Sequence, residues 1–395
     1  MKTLCILGRQ SEISLAELES LYGGDAVTKL NSEVALLSCT PDFSRLGGTQ
    51  KIAQLFTVIP QKNWNEIERY LVNTLPTQLA DMPDRKIHLG FSVYGMHLSL
   101  KQLQKTALTA KKALRSTGRS VRVVPNKHLA LSSAQVFHNH FTDENGAEII
   151  ICKGADNQLY IGKTTAVQDI DAYTARDQQR PKRDAKVGML PPKLAQTIVN
   201  LAVGQLALPD DKATAITVLD PFCGTGVIAQ ETVLMNYAAY GSDIEQRMID
   251  YTEANLAWLT KAFSLENPHY FTTVADATTH TWGIDFTTIA GEAYLGRPFA
   301  TTPDQTTLKK VMQDVDTITS KFFKNVTRQT KPGFRLCIAV PAWHVNNAVH
   351  HLKTLASLEK LGYTRQSFVH AKTEDLIYRR EGQIVARELL VLTRT

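Results

Sequence analysis

The pattern of hydrophobic and polar positions changes near residue 170. Before that point, short apolar runs and amphipathic stretches follow one another without a regular strand–helix repeat, which indicates an α+β region. After residue 193, apolar strands alternate regularly with helices, which is typical of a largely parallel sheet covered on both faces. The stretch between them, residues 171–192, is polar and rich in Arg, Asp and Pro. The pattern therefore predicts two regions joined by a connector.

The same pattern predicts individual elements. In the first region we expect strands over 4–7, 34–38, 87–93, 121–124, 148–151 and 158–161, and helices over 15–22, 64–75 and 98–116. In the second region we expect strands over 215–220, 237–243, 270–275, 286–290 and 334–340, and helices over 224–235, 246–259, within 303–327 and over 344–361. A final hairpin over 376–380 and 384–392 would place an antiparallel strand at one edge of the sheet.

Composition excludes several classes of protein. The 395 residues are 43% hydrophobic and 21% charged, which is typical of a globular chain of two or three domains. No apolar run approaches the roughly 18 residues of a membrane span, and the first residues lack the apolar core of a secretory leader. The five cysteines are scattered without a Cys-x-x-Cys pair. We therefore expect a cytoplasmic protein with no membrane segment, no disulfide framework and no metal site.

Charge is unevenly distributed. Residues 85–142 contain ten Lys or Arg residues and no Asp or Glu, whereas the rest of the chain carries 34 basic and 38 acidic residues. A solvated basic face is one interpretation, but mixed signs would serve solubility equally well. A surface that neutralises phosphates explains the run better. The candidate RNA-binding residues are Lys101, Lys105, Lys111, Lys112, Arg115, Arg119, Arg122 and Lys127.

The main chemical motif is a glycine turn at the end of the first strand of the second region. Residues 218–226 read Val-Leu-Asp-Pro-Phe-Cys-Gly-Thr-Gly. Glycines allow a ligand to approach the backbone, and the N-terminus of the following helix offers free N–H groups. The third glycine of a dinucleotide fingerprint is absent, since Ala229 stands there, and no Gly-Lys-Ser/Thr follows. A dinucleotide site and a nucleotide-triphosphate loop are therefore disfavoured.

Two further acids follow at the ends of the next strands. Asp243 is placed to grip ribose hydroxyls, and Asp276 is placed to meet an adenine amine. A tight turn with helix caps would account for any one of these features. The three together favour S-adenosylmethionine as the cofactor. Its candidate binding residues are Asp220, Pro221, Phe222, Gly224, Thr225, Gly226, Asp243, Ile244, Asp276 and Ala277.

The glycine motif and the residues before it resemble a known family. Arg176-Asp177, Arg180-Pro181, Arg183-Asp184 and residues 188–195 precede the motif. Together they are similar to the THUMP-domain tRNA guanine-N2 methyltransferases. The beginning of the chain, Ile6 to Arg9 with Leu15 to Leu18, and its last hairpin resemble that family as well.

The resemblance implies a domain organisation and a partner. It implies a ferredoxin-like subdomain over 1–78, a THUMP-like RNA-binding domain over 79–168, a linker over 169–192 and a Rossmann-like methyltransferase domain over 193–395. It also implies tRNA as the partner and a guanosine at position ten as the first expected target. The sequence leaves open the oligomeric state, mono- against dimethylation and the need for an activating subunit.

One motif departs from the family. The family carries Asp/Asn-Pro-Pro-Tyr at the end of the fourth strand, whereas residues 291–294 read Gly-Glu-Ala-Tyr. The exocyclic N2 of guanine is a poor nucleophile, so the site must accept its proton or hydrogen bond. Glu292 is our candidate acceptor, and Tyr294 is our candidate for stacking on an extruded base. The other interpretation is a degenerate motif in a protein that binds RNA without methylating it.

Together these features predict a cytoplasmic, S-adenosylmethionine-dependent enzyme that methylates a guanine N2 in tRNA. An N6-adenine or other exocyclic-amine methyltransferase acting on ribosomal RNA or DNA is one alternative. A tRNA-binding protein that keeps the cofactor fold only as a scaffold is the other.

Overall fold

Two compact units make up the chain. The computed structural model describes residues 1–184, 189–207, 216–299, 301–346 and 348–395. The first unit comprises Met1–Ser11, Asp25–Ser44 and Thr49–Ala172, and the second comprises Glu12–Gly24, Arg45–Gly48 and Tyr173–Thr395. The predicted domain boundaries at residues 78, 168 and 192 stay predictions.

The first unit is built on one eight-stranded sheet. Its strands are β1 (Thr3–Leu7), β2 (Val27–Lys29), β3 (Val34–Leu37), β4 (Thr49–Pro60), β5 (Ile87–Tyr94), β6 (Val121–Val123), β7 (Gly146–Lys153) and β8 (Gln158–Val167). They lie in the order β2-β3-β1-β4-β8-β7-β5-β6. Its helices are α2 (Trp64–Gln78), α3 (Leu100–Ser116) and α4 (Ser133–His138), while α1 (Ser11–Tyr22) belongs to the second unit from Glu12 onward. Strand β5 pairs in parallel with β6 and β7, and the other pairs are antiparallel, so the α+β prediction is confirmed.

Helix α3 shows why the basic stretch folds as it does. Ser99 caps the helix, and its side chain and that of Gln102 satisfy each other's backbone N–H groups. The apolar positions Leu103, Ala107 and Leu114 are buried in the core of the unit. Most of the cations are left to solvent because they fall on the opposite side of the helix.

The described residues of the second unit form a nine-stranded sheet with helices around it. After α5 (Ile170–Thr174) and a π-helical turn (Ala175–Gln179), its elements are α6 (Pro192–Val203), β9 (Thr217–Asp220), α7 (Val227–Leu234), β10 (Ala238–Asp243), α8 (Gln246–Ala262), β11 (Tyr270–Val274), β12 (Thr288–Glu292), α9 (Gln305–Gln329), β13 (Arg335–Val345), β14 (Ala348–His350), β15 (Tyr363–Arg365), β16 (Ile377–Tyr378) and β17 (Val385–Arg394). Short 3₁₀ segments lie between β14 and β16.

Seven of these strands form the main path of the sheet, in the order β11-β10-β9-β12-β13-β17-β15. The first five are parallel, and β17 runs antiparallel to both β13 and β15. The predicted Rossmann-like sheet with a C-terminal antiparallel hairpin is confirmed. Because the chain order reverses between β9 and β12, the carboxyl ends of these two strands flank the position where such sheets bind ligands.

One predicted element was wrong. The described residues within 344–361 do not form a helix: β13 continues to Val345 and pairs with β14, and 3₁₀ turns follow. Trp343 pairs with Val385 of β17 on one side and with His350 on the other. These long-range strand pairs outweigh the local helical pattern, which is only a weak preference.

The described residues contain neither a membrane-spanning helix nor a metal-binding cluster. None of their helices combines the length and apolarity of a membrane span. No group of three or more His, Cys, Asp or Glu among them could hold a metal ion.

Candidate functional site

A cavity of about 720 Å³ opens in the second unit at the carboxyl ends of the parallel strands. Its walls include nearly every residue predicted to bind a cofactor and both residues predicted to act on the substrate. The lining contains Asp220, Pro221, Phe222, Gly224, Thr225, Asp243, Ile244, Asp276, Ala277, Glu292 and Tyr294. Of the predicted cofactor residues, only Gly226 lies outside the lining, so the structure brings together positions that are 74 residues apart in sequence (220 to 294).

Backbone hydrogen bonds within the turn and to β10 hold the glycine turn after β9. Gly226 donates through its N–H to Cys223 O at 2.7 Å, and Cys223 N donates to Ser242 O at 2.9 Å. Gly226 has a φ of +78° and begins α7, and a Cβ there would come within 2.8 Å of Thr252. Glycine is therefore required at 226 both by the backbone conformation and by the approach of α8.

Asp220 lines the cavity and is only 3% exposed. Its Oδ1 accepts a hydrogen bond from Phe222 N at 3.1 Å. Burial, with smaller contributions from Asp243 and Glu292, holds the pKa of this carboxyl well above its usual range. Gly291 makes room for it, since a Cβ there would lie 2.7 Å from the same oxygen.

Asp243, at the end of β10, is hydrogen-bonded to the glycine turn. Its Oδ2 accepts from Gly224 N and its Oδ1 accepts from Glu245 N, each at 3.0 Å. Burial raises the pKa of this carboxyl, and the backbone donors oppose the rise. A carboxylate has about four lone-pair positions, so these two bonds leave capacity for hydroxyl donors from a ligand.

Asp276 follows β11 at the next strand end. Its Oδ1 accepts from both the N–H and the hydroxyl of Thr278, at 2.8 and 2.7 Å. Among the described residues, no hydrogen bond is recorded to Oδ2. This oxygen is free to accept a hydrogen bond from an amine within the cavity.

Glu292 ends β12 and lines the same cavity. It is 13% exposed, and its Oε1 accepts a hydrogen bond from Nε of Arg387, which is 7% exposed. Burial raises the pKa of Glu292, and Arg387 opposes the rise by its charge and its hydrogen bond. The arrangement supplies a buried acceptor whose negative charge is balanced by Arg387.

Tyr294 stands beside Glu292 with 48% of its surface exposed. A half-exposed ring at the wall of a cavity can offer one face to a planar ligand. Two further lining residues, Arg247 and Lys321, were not predicted from the sequence. Arg247 pairs with Asp184 at 3.0 Å and Glu245 at 3.4 Å.

Arg387 was also missed as a site residue. It is 95 positions from Glu292 in sequence, and only the pairing of β12 and β17 with the common neighbour β13 brings the two together. The one available signal was the position of Arg387 within the C-terminal hairpin that the sequence already predicted.

The predicted RNA-binding residues lie in the first unit, on or near α3. Lys101, Lys105, Lys112 and Arg115 fall within about 80° of one another around the helix at 100° per residue, and all four are exposed. Among the described residues, none of them takes part in a recorded ion pair. These four residues are called the α3 basic face below.

The other four candidates differ in their surroundings. Arg122 and Lys127 are exposed, whereas Lys111 and Arg119 are half-buried. The Arg119 guanidinium donates to Pro83 O at 2.6 Å and to Ala80 O at 3.4 Å. Arg119 therefore already serves the fold, and we leave it out of the variants designed below.

Comparison of the sequence with known proteins gives one partial match. No protein-family model matches the chain. A segment of 69 residues is 41% identical to a tRNA (guanine(10)-N2)-dimethyltransferase of Methanothermobacter thermautotrophicus. The match spans 18% of this chain and 18% of that protein. It confirms the resemblance found from the motifs, over that segment.

Comparison with solved structures extends over the whole chain. The crystal structure of TrmN from Thermus thermophilus is similar over 100% of both chains, with a TM-score of 0.53 and 14% sequence identity. A possible methylase from Clostridium difficile 630 covers 100% of this chain and 98% of its own, with a TM-score of 0.49 and 12% identity. At 14% identity, the similarity to the TrmN structure shows a shared fold and nothing further.

Proposed function

We propose that this protein is an S-adenosylmethionine-dependent methyltransferase that acts on the exocyclic N2 of a guanosine in tRNA, with position ten as the first target to test. The observation that carries the proposal is a single cavity that joins the glycine turn, three successive strand-end acids and the acceptor Glu292. The partial match to a tRNA (guanine(10)-N2)-dimethyltransferase supports the choice of substrate.

The residues present fit the proposed cofactor. Five carboxyl residues line the cavity against two cations, Arg247 and Lys321, which favours a positively charged ligand such as a sulfonium. Asp243 would hold the ribose hydroxyls and Asp276 the adenine amine, since both keep capacity to accept hydrogen bonds. The glycine turn offers backbone rather than side chains to the ligand, and it has no phosphate-binding lysine.

The chain's own part in the chemistry is to place the amine and receive its proton. When bound, S-adenosylmethionine supplies an electrophilic methyl group and keeps the C–S electron pair as a neutral thioether. Glu292 would accept a hydrogen bond from the N2 amine and take its proton as the nitrogen becomes positively charged. Tyr294 would stack on the extruded base and so fix its orientation relative to the methyl group.

The first unit would supply affinity for RNA. The α3 basic face presents exposed cations without ion-pair partners among the described residues, which suits binding to phosphates. The subdivision into a ferredoxin-like part over 1–78, a THUMP-like part over 79–168 and a linker over 169–192 belongs to the same proposal. So does a cytoplasmic location, which the five free cysteines support.

The experiment has two arms. Calorimetry measures binding of S-adenosylmethionine, and a single-turnover assay measures transfer of its labelled methyl group to a pool of unmodified tRNA transcripts, followed by nucleoside digestion. The proposal predicts N2-methylguanosine, and its loss when guanosine 10 is replaced by adenosine. Binding without transfer would favour the scaffold interpretation. Methyl groups on adenine N6, or transfer to DNA and not to RNA, would favour the other methyltransferase.

A further inference from the structure

Arg387 lies behind the acceptor Glu292 and outside the walls of the cavity. Strands β12 and β17 both pair with β13, where Glu292 is opposite Ala339 and Arg387 is opposite Pro341. Positions 339 and 341 are two apart, so their pairs project from the same face of the sheet. The guanidinium therefore crosses β13 and reaches Oε1 of Glu292 from the side of β17.

The next residue along β17 provides a contrast. Glu388 projects to the opposite face, where it is paired with Arg365 at 3.0 Å and with His351 at 2.6 Å. Neither Glu388 nor Arg365 lines the cavity. The sheet thus carries one Arg–Glu pair on each face at this point of β17, and of these two only the Arg387–Glu292 pair reaches the candidate site.

Glu292 has no other cation as close as Arg387 among the described residues. The charged and titratable groups that line the cavity around it are Asp220, Cys223, Asp243, Glu245, Arg247, Asp276, Tyr294 and Lys321. Burial raises the pKa of Glu292 and only Arg387 opposes the rise, so without Arg387 burial would favour the protonated form of Glu292. A protonated carboxyl could not take up another proton.

We propose that Arg387 is a positioning residue that keeps Glu292 ionised, with its second oxygen directed to the substrate, and so makes the site selective for guanine. The inference rests on the proposed function. Guanine presents two adjacent donors, N1–H and N2–H, and an ionised carboxylate only accepts hydrogen bonds. Adenine presents a donor beside the acceptor N1, which an ionised carboxylate would repel and a protonated one would match.

The first test measures stability and does not depend on activity. Thermal unfolding is followed against pH for wild type, Arg387→Gln, Glu292→Gln and the double variant. A carboxyl whose pKa is higher in the folded protein destabilises the fold as the pH rises from its unfolded value to its folded one. Relative to the double variant, the free energy of unfolding of Arg387→Gln should therefore fall as the pH rises across this window. This fall should be larger than the fall of wild type relative to Glu292→Gln.

The second test measures single-turnover methyl transfer against pH. Because activity requires ionised Glu292, the rate should rise with pH through the pKa of that carboxyl. Removal of a close opposite charge typically raises a carboxyl pKa by about 1–3 units, so Arg387→Gln should shift the rising limb to higher pH. Arg387→Lys should reverse part of this shift, and Arg387→Gln should lose part of the preference for guanosine 10 over adenosine 10 when tRNA binding is measured below the rising limb.

Arg365→Gln is the matched control, since it breaks an Arg–Glu pair in the same sheet outside the cavity. The inference is overturned if the pH-dependent loss of stability of Arg387→Gln relative to the double variant is no larger than that of wild type relative to Glu292→Gln. It is also overturned if, where transfer occurs, Arg365→Gln shifts the pH profile of the rate as far as Arg387→Gln does. A wild-type protein that transfers no methyl group refutes the proposed function and, with it, the selectivity for guanine. The unfolding arm then still decides whether Arg387 holds Glu292 ionised.

Discussion

The α3 basic face and the cavity of the second unit use charge in opposite ways. The four cations of the α3 basic face are exposed and have no recorded ion-pair partner among the described residues. The cavity acids Asp220, Asp243 and Glu292 are partly or wholly buried, and each is bound to a specific donor. Exposed charges contribute to binding through their number and are screened by salt. Buried charges depend instead on the geometry of their hydrogen bonds with specific partners. The first arrangement suits affinity for a polyanion, and the second suits chemistry on one atom.

Glu292→Gln should give the largest effect. The amide keeps the shape but cannot take up the proton, and general-base assistance contributes about 10²–10⁴-fold to a rate. We expect the single-turnover rate to fall within that range while the affinities for cofactor and tRNA stay near wild type. The matched control is Glu253→Gln, an exposed carboxyl of α8 outside the cavity. A Glu292→Gln rate equal to that control would remove the carboxylate from the mechanism.

Asp243→Ala should weaken cofactor binding and leave tRNA binding nearly intact. A charge-assisted hydrogen bond is worth about 1.5–3 kcal/mol, so losing one of them raises the cofactor Kd by about 10–150-fold. Calorimetry with the cofactor and a filter-binding assay with tRNA measure the two affinities. Asp250→Ala, an exposed acid of the same unit outside the cavity, is the control. Equal losses in both assays would contradict the division of roles between the two regions.

Tyr294→Ala should slow transfer with the acceptor still in place. Stacking of a base on an aromatic ring is worth about 1–3 kcal/mol, and the ring is half-exposed at the cavity wall. Tyr294→Phe keeps the ring and should be close to wild type in a single-turnover assay. If the Phe variant were as slow as the Ala variant, the hydroxyl and not the ring face would be the functional group.

Replacing the α3 basic face with Gln should have the smallest effect at physiological salt. The variant changes Lys101, Lys105, Lys112 and Arg115 together. We expect a lower affinity for tRNA and a salt dependence flattened by about 0.7–0.9 log unit for each phosphate group that is no longer neutralised. The control changes three Lys and one Arg that are exposed on α9, namely Lys309, Lys310, Lys324 and Arg328. Equal salt slopes for the two variants would mean that the α3 basic face is only solvated.

The sequence predicted what depends on neighbouring residues. The glycine turn, Asp243 and Asp276 could be placed at one edge of the sheet because each lies at or just after the end of a recognisable strand, and parallel strands end at the same edge of a sheet. The α3 basic face was found because its charges are close together in one helix. Arg387 could not be assigned in this way, since its hydrogen bond with Glu292 depends on how β17 pairs with β13. The same pairing converted the predicted helix over 344–361 into strands and turns.

We assign affinity for tRNA to the α3 basic face and the chemical step to the cavity. The most direct test of this assignment is the rate of methyl transfer at saturating tRNA. Single-turnover methyl transfer is measured for the α3 basic-face variant at tRNA concentrations that saturate it. If these cations serve only affinity, the rate at saturation equals that of wild type, whereas Glu292→Gln stays slow at any tRNA concentration. A saturated α3 variant that remains slow would contradict the account, because the exposed cations would then take part in the chemical step.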